Sequence, residues 1–208
     1  MRTRHEIKAA ALGKCRVSWS TVVLLTLVYV GVSVAAAATS FAAVLVDIFL
    51  LYPITVGLYM AFLSYDRDQT QSNLIEDMFR LAFDKNYLHK VLGMFLMELF
   101  VFLWSLLLIV PGIIKGLAYF MTPFILEENP ELSAYDAIKY SEKMMVGHKW
   151  DLFVLFLSFI GWSLLCLLTA GICFLWLTPY QTLSVCEFYE DLKAEQAGKP
   201  LEGTIEQA

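Results

Sequence analysis

The sequence predicts an all-α integral membrane protein, a bundle of six transmembrane helices with both termini cytoplasmic, and three observations predict it. Hydrophobic residues make up 59% of the 208 and charged ones only 17%, too apolar a balance for a soluble domain of this size. Six long apolar stretches are separated by polar connections. The basic residues then fall on alternate connections. Arg2, Arg4, Lys8, Lys14 and Arg16 precede the first stretch, and Arg67, Arg80, Lys85 and Lys90 lie between the second and third. Lys139, Lys143 and Lys149 lie between the fourth and fifth, and Lys193 and Lys199 follow the sixth. Lys115 departs from the pattern. Because basic residues near span ends stay in the cytoplasm, six crossings with both ends inside follow.

The stretches are residues 19–38, 41–63, 91–110, 112–126, 152–169 and 172–189. A helix needs about 20 residues to cross a hydrocarbon core of about 30 Å, and five of the six meet that length. The fourth starts at Pro111-Gly112, read as the outer turn, and reaches Glu127-Glu128 sooner, so it is either displaced toward the cytoplasm or matched by a thinner bilayer.

Each basic connection opens with a helix-start signature. Thr3 is followed by Glu6, Asn73 by Glu76 and Ser133 by Asp136, the spacing at which a cap side chain and a later carboxylate satisfy free backbone amides reciprocally. Leu74, Ile75, Met78, Phe79 and Ala82 form one face of the second connection against Glu76, Asp77, Arg80 and Asp84. Ala134, Ala137, Ile138, Ser141 and Met145 do so in the third against Asp136, Lys139 and Glu142. These segments are expected to be amphipathic helices lying on the inner leaflet. Each precedes a hairpin of two apolar stretches. The last two hairpins also share letters, with Trp104-Ser105-Leu106-Leu107 and Thr122-Pro123 echoed by Trp162-Ser163-Leu164-Leu165 and Thr178-Pro179. One membrane domain of residues 1–190 is therefore expected to hold three parallel repeats, 3–63, 73–126 and 133–190, followed by a flexible acidic cytoplasmic tail over 191–208.

Ionisable residues inside the spans are the candidate buried polar site: Asp47, Glu98 and Lys115. Asp47 and Lys115 both belong to the outer half, so Lys115 either pairs with Asp47 or snorkels to the outer headgroups. Glu98 reads as a hydrogen-bonding packing residue or a proton relay. Pro53, Pro123 and Pro179 are candidate helix kinks, the last two in matching Thr-Pro settings, either facing a shared cavity or simply bending packed helices. Gly147, His148, Lys149 and Trp150 form an interfacial motif, an aromatic and basic anchor where the fifth stretch enters the membrane. Glu127, Glu128 and Glu131 read as the solvated end of the fourth helix rather than a cation site.

No catalytic signature is found. Thr3-Arg4-His5-Glu6-Ile7 lacks the second histidine of a zinc helix, and there is neither a phosphate-binding glycine loop nor a serine beside an intramembrane histidine. No enzyme activity, metal or cofactor is expected. Nucleic acid binding is disfavoured by the net charge of −5 and the absence of a clustered basic face. Cys15, Cys166, Cys173 and Cys186 have no CxxC spacing and are expected to be small apolar core residues.

The run from Trp104 to Lys115, then Ala118-Tyr119, Glu128-Asn129-Pro130, Gly147-His148-Lys149-Trp150, Thr178-Pro179-Tyr180 and Phe188-Tyr189 carries a resemblance. Over residues 85–190 the chain resembles the bacterial membrane family catalogued as domain of unknown function 975. The resemblance implies a multi-pass protein of a bacterial plasma membrane and supplies no chemistry. In layout the chain is also similar, distantly, to the membrane domain attached to some glycerophosphodiester phosphodiesterases, which points toward lipids. Two functions are therefore expected. One is a lipid- or small-solute-binding or transport-type protein; the alternative is a non-catalytic scaffold or accessory subunit docking a partner through its cytoplasmic surface helices. Membrane lipids, and a protein partner or a second copy of the chain, are the expected partners.

Overall fold

The fold is all-helical among the described residues, which in this computed structural model are 3–17, 19–37, 47–67, 73–168 and 173–197. Short and long helices are interspersed along the chain. Helix α1 is Arg4–Val17 and α2 is Trp19–Ala37; a π-helical turn over Asp47–Leu51 then runs into α3, Tyr52–Arg67. Helix α4 (Leu74–Ala82) leads to α5 (Tyr87–Leu107), α6 (Ile109–Tyr119) and α7 (Thr122–Glu128). Helix α8 (Ala134–Met144) leads to α9 (Lys149–Leu168) and α10 (Phe174–Ala197).

Among the described residues four helices are long and apolar enough to cross a membrane: Ile48–Arg67, Tyr87–Leu107, Ile109–Glu128 and Lys149–Cys166. A fifth is reached if Arg4–Lys14 and Trp19–Ser33, which meet at 97°, count as one bent span. The sequence expects six. The first expected stretch runs on into residues outside the described set, and α10 carries Glu187, Glu190 and Asp191 within its first eighteen residues, more charge than an uninterrupted apolar span carries.

Two of the three helix starts form as the spacing predicts. The Thr3 amide donates to Glu6 at 2.7 Å and the Glu6 amide donates to Thr3 Oγ1 at 3.4 Å, a closed reciprocal pair. The Asp136 amide donates to Ser133 Oγ at 3.1 Å. Asn73 makes no capping bond with its side chain, at φ −99° and ψ 40° rather than the extended conformation a cap requires.

The apolar faces assigned to the lipid surface are turned onto protein instead. Leu74, Met78 and Ala82 of α4 are fully buried, and α4 approaches α3 so closely that a Cβ at Gly57 would overlap the Met78 carbonyl oxygen. Helix α8 is held against the preceding span by the Ser141 hydroxyl, which donates to the Ala118 carbonyl at 2.9 Å. Ile138 packs with Ala118 and Tyr119. Such close approach is how membrane helices associate, because apolar burial alone gives no advantage over lipid. The same device recurs at Gly93 against Leu126 and at Gly112 against Ser105.

An aromatic ladder fills the centre. Tyr59 of α3 lies 5.2 Å from Phe124, which stacks on Tyr189 of α10 at 4.7 Å; Phe120 meets Phe156 of α9 at 5.2 Å. On α5 the outward stripe Leu92, Phe95, Leu99, Phe102, Leu103 and Leu106 is exposed at helical spacing, the pattern of a face turned to lipid. Cys166, near the end of α9, and Cys173, just before α10, are joined by a disulfide, which corrects their reading as unpaired core residues: the facing helix ends bring side chains seven residues apart together. Cys186 is free and buried, as expected.

Candidate functional site

Of the three candidate charges, Lys115 and Glu98 make separate contacts. Lys115 Nζ lies 2.5 Å from Glu142 of α8 and over the rings of Trp104 and Tyr119 at 5.1 and 5.6 Å. Glu98 is exposed and accepts the Tyr52 hydroxyl. Asp47 begins the π-helical turn, and its side chain lies outside the described residues. Glu142 reaches Lys115 because α8 packs along the helix that carries it rather than lying flat below it.

The prolines are equally dispersed. Pro53 is buried in the first turn of α3, and Pro123 stands at the start of α7, where its missing amide costs nothing. Pro179 is inside α10 and buried. Neither Pro123 nor Pro179 lines either of the two cavities described below. In the interfacial motif Gly147 takes φ +87°, a left-handed turn suited to glycine, and releases the chain into α9. His148 reaches Asp151 at 3.4 Å and Glu195 at 3.5 Å, while Trp150 is 70% exposed.

The polar concentration that sequence reasoning missed is at the ends of α3, α7 and α10. Lys14 of α1 bridges Asp66 at 2.7 Å and Glu187 at 2.5 Å, two carboxylates whose side chains are only 4% and 3% exposed. Burial alone would lower the Lys14 pKa, but the hydrogen bonds to Asp66 and Glu187 outweigh it and raise it. The Tyr65 hydroxyl fixes the same helix by donating to the Lys14 carbonyl at 2.8 Å. Arg67 contacts Glu128 and Glu190, each at 2.6 Å. Glu128 also accepts from Tyr189 and Lys193, both at 2.7 Å. Lys90, fully buried, pairs with Glu127 at 2.5 Å and Asp84 at 3.2 Å and donates to the Leu81 carbonyl. Glu127 and Glu128, read from sequence as a solvated helix end, are thus the knots of this network. The available signal was an acidic residue at the same end of three long helices.

Two cavities open beside the network. One, of about 320 Å³, is lined by Glu128, Asn129, Tyr140, Met144, Tyr189 and Lys193. The other, of about 500 Å³, lies between α1 and the last two helices and is lined by Thr3, Arg4, His5, Ile7, Asp151, Leu155 and Phe188. Next to it Lys8 Nζ donates to the Ser158 carbonyl at 3.3 Å and sits 3.8 Å from the centre of the Phe159 ring. The larger cavity mixes a cationic wall, a carboxylate and three apolar side chains, the composition an amphiphile needs. Among the described residues no group of three or more His, Cys, Asp or Glu side chains is placed to hold a metal ion.

No curated protein and no solved structure matches the chain. Residues 106–196, from the tip of α5 to the last turn of α10, match the family described as protein of unknown function (DUF975), the family that the second half of the sequence resembles.

Proposed function

We propose that this is a bacterial plasma-membrane protein that crosses six times with both termini in the cytoplasm, built from three units of short helix and hairpin, and that it binds or transports a lipid or small amphiphilic solute. The observation that carries the reading is the cavity of about 500 Å³ between α1 and the last hairpin, polar on one side and apolar on the other. Supporting the orientation, the basic connections lie at one end of the helices and the Cys166–Cys173 disulfide at the other, and disulfides persist on the oxidising side of a membrane.

Native mass spectrometry of protein extracted in mild detergent tests the function. A retained small molecule at one per chain supports binding; a clean mass with a co-purifying polypeptide refutes it. The other reading, a scaffold docking a partner through residues 73–89 and 133–149, has less to rest on, because the apolar faces of α4 and α8 are already covered by their own spans.

A further inference from the structure

The cavity between α1 and α9 carries both signs of charge at one level of the bundle, and that pairing selects a ligand. Trp150, 70% exposed and 5.3 Å from the Phe153 ring, marks headgroup depth, where exposed tryptophan concentrates. Asp151 is the next residue; its side chain is 56% exposed and 3.4 Å from His148 Nδ1, so it stays open to the cavity. Across from it stand Arg4 and His5, in the first turn of α1. Ile7, Leu155 and Phe188, at most 3% exposed, form the floor. Leu155 lies one helical turn further into the membrane than Asp151, on the side an acyl chain would take.

An anionic amphiphile would meet Asp151 and a cationic one would meet Arg4, each placing like charges together in a partly dehydrated space. A molecule with a phosphodiester and a terminal ammonium satisfies both walls. We propose that this cavity holds the headgroup of a zwitterionic phospholipid drawn from the inner leaflet, its phosphate toward Arg4 and His5, its ammonium toward Asp151 and its glycerol and chain starts over Leu155 and Phe188. The proposal rests on the binding reading of this same cavity and names the ligand class.

The test is a titration of the delipidated full chain in detergent with phosphatidylethanolamine, phosphatidylglycerol and inorganic phosphate, with occupancy counted by native mass spectrometry. Phosphatidylethanolamine binds at one per chain, about tenfold tighter than phosphatidylglycerol for a charge mismatch worth about 1.4 kcal/mol. Asp151→Asn removes that preference by weakening the first lipid and strengthening the second, an exchange that a merely destabilised fold would not produce. Arg4→Ala weakens both. Should Arg4→Ala fail to fold, Arg4→Gln keeps much of the side chain's length without its charge and must weaken both lipids in the same way. Phosphatidylglycerol binding as tightly as phosphatidylethanolamine overturns the ligand class and leaves the binding reading standing. Free phosphate competing as well as the lipid also overturns it, and no binding of either lipid removes both.

Discussion

Lys115 of α6 and Glu142 of α8 form an ion pair at 2.5 Å, joining a membrane-crossing helix to a short helix that the sequence assigns to the inner leaflet. The pair explains how a lysine three residues past Gly112 is accommodated in an apolar helix. Its side chains are 24% and 35% exposed, so the pair is screened and worth about 1 kcal/mol. Lys115→Met or Glu142→Gln should each lower the unfolding temperature in detergent modestly, and the charge exchange Lys115→Glu with Glu142→Lys should restore most of the loss. Exchange with Asp47 in place of Glu142 should restore nothing. Rescue through Asp47 alone would return the lysine to the partner expected from sequence.

Lys14 presents the opposite case. Its removal takes the ammonium away from two buried carboxylates, Asp66 and Glu187, and breaking such a site costs about 3–5 kcal/mol. Lys14→Met should therefore be among the most destabilising single changes in the chain, measured by thermal unfolding or by yield from the membrane. Adding Asp66→Asn should recover part of the loss by removing one of the two carboxylates that Lys14 bridges. Arg67→Ala, whose side chain is 44% exposed, should cost about 1 kcal/mol by comparison. Equal effects at both positions would contradict the burial difference.

Gly57 allows α4 to lie against α3. An added methyl meets the Met78 carbonyl, which is backbone and cannot swing away, so Gly57→Ala should cost about 1–3 kcal/mol and loosen α4. Gly161→Ala is the control, because open space surrounds that position and alanine favours a helix by about 1 kcal/mol. Hydrogen exchange over residues 74–82 distinguishes the two: faster in Gly57→Ala, unchanged in Gly161→Ala.

Much of the architecture was legible because it depends on local periodicity and charge. The Thr3 and Ser133 helix starts follow from spacing alone, as do the amphipathic faces of α4 and α8. What those faces pack against was not legible. A buried face next to protein and a buried face next to lipid need the same side chains, so Met78 and Ile138 read identically in either setting. The Lys115 contact was hidden for a similar reason: the sequence offers Asp47 or the outer headgroups, and only the path of α8 brings Glu142 to the lysine. The cavity beside Arg4 and Asp151 joins residues far apart in the chain, and no local pattern marks such a meeting.

In the proposed orientation the charged helix ends and the larger cavity lie at the inner face. Single cysteines at Thr3, Leu108 and Ser133, in a background with Cys15, Cys166, Cys173 and Cys186 changed to serine, report it through a membrane-impermeant thiol reagent applied to intact cells. Labelling of Leu108 from outside, with Thr3 and Ser133 reactive only after the membrane is opened, is the predicted result. Labelling of Thr3 or Ser133 in intact cells would contradict it.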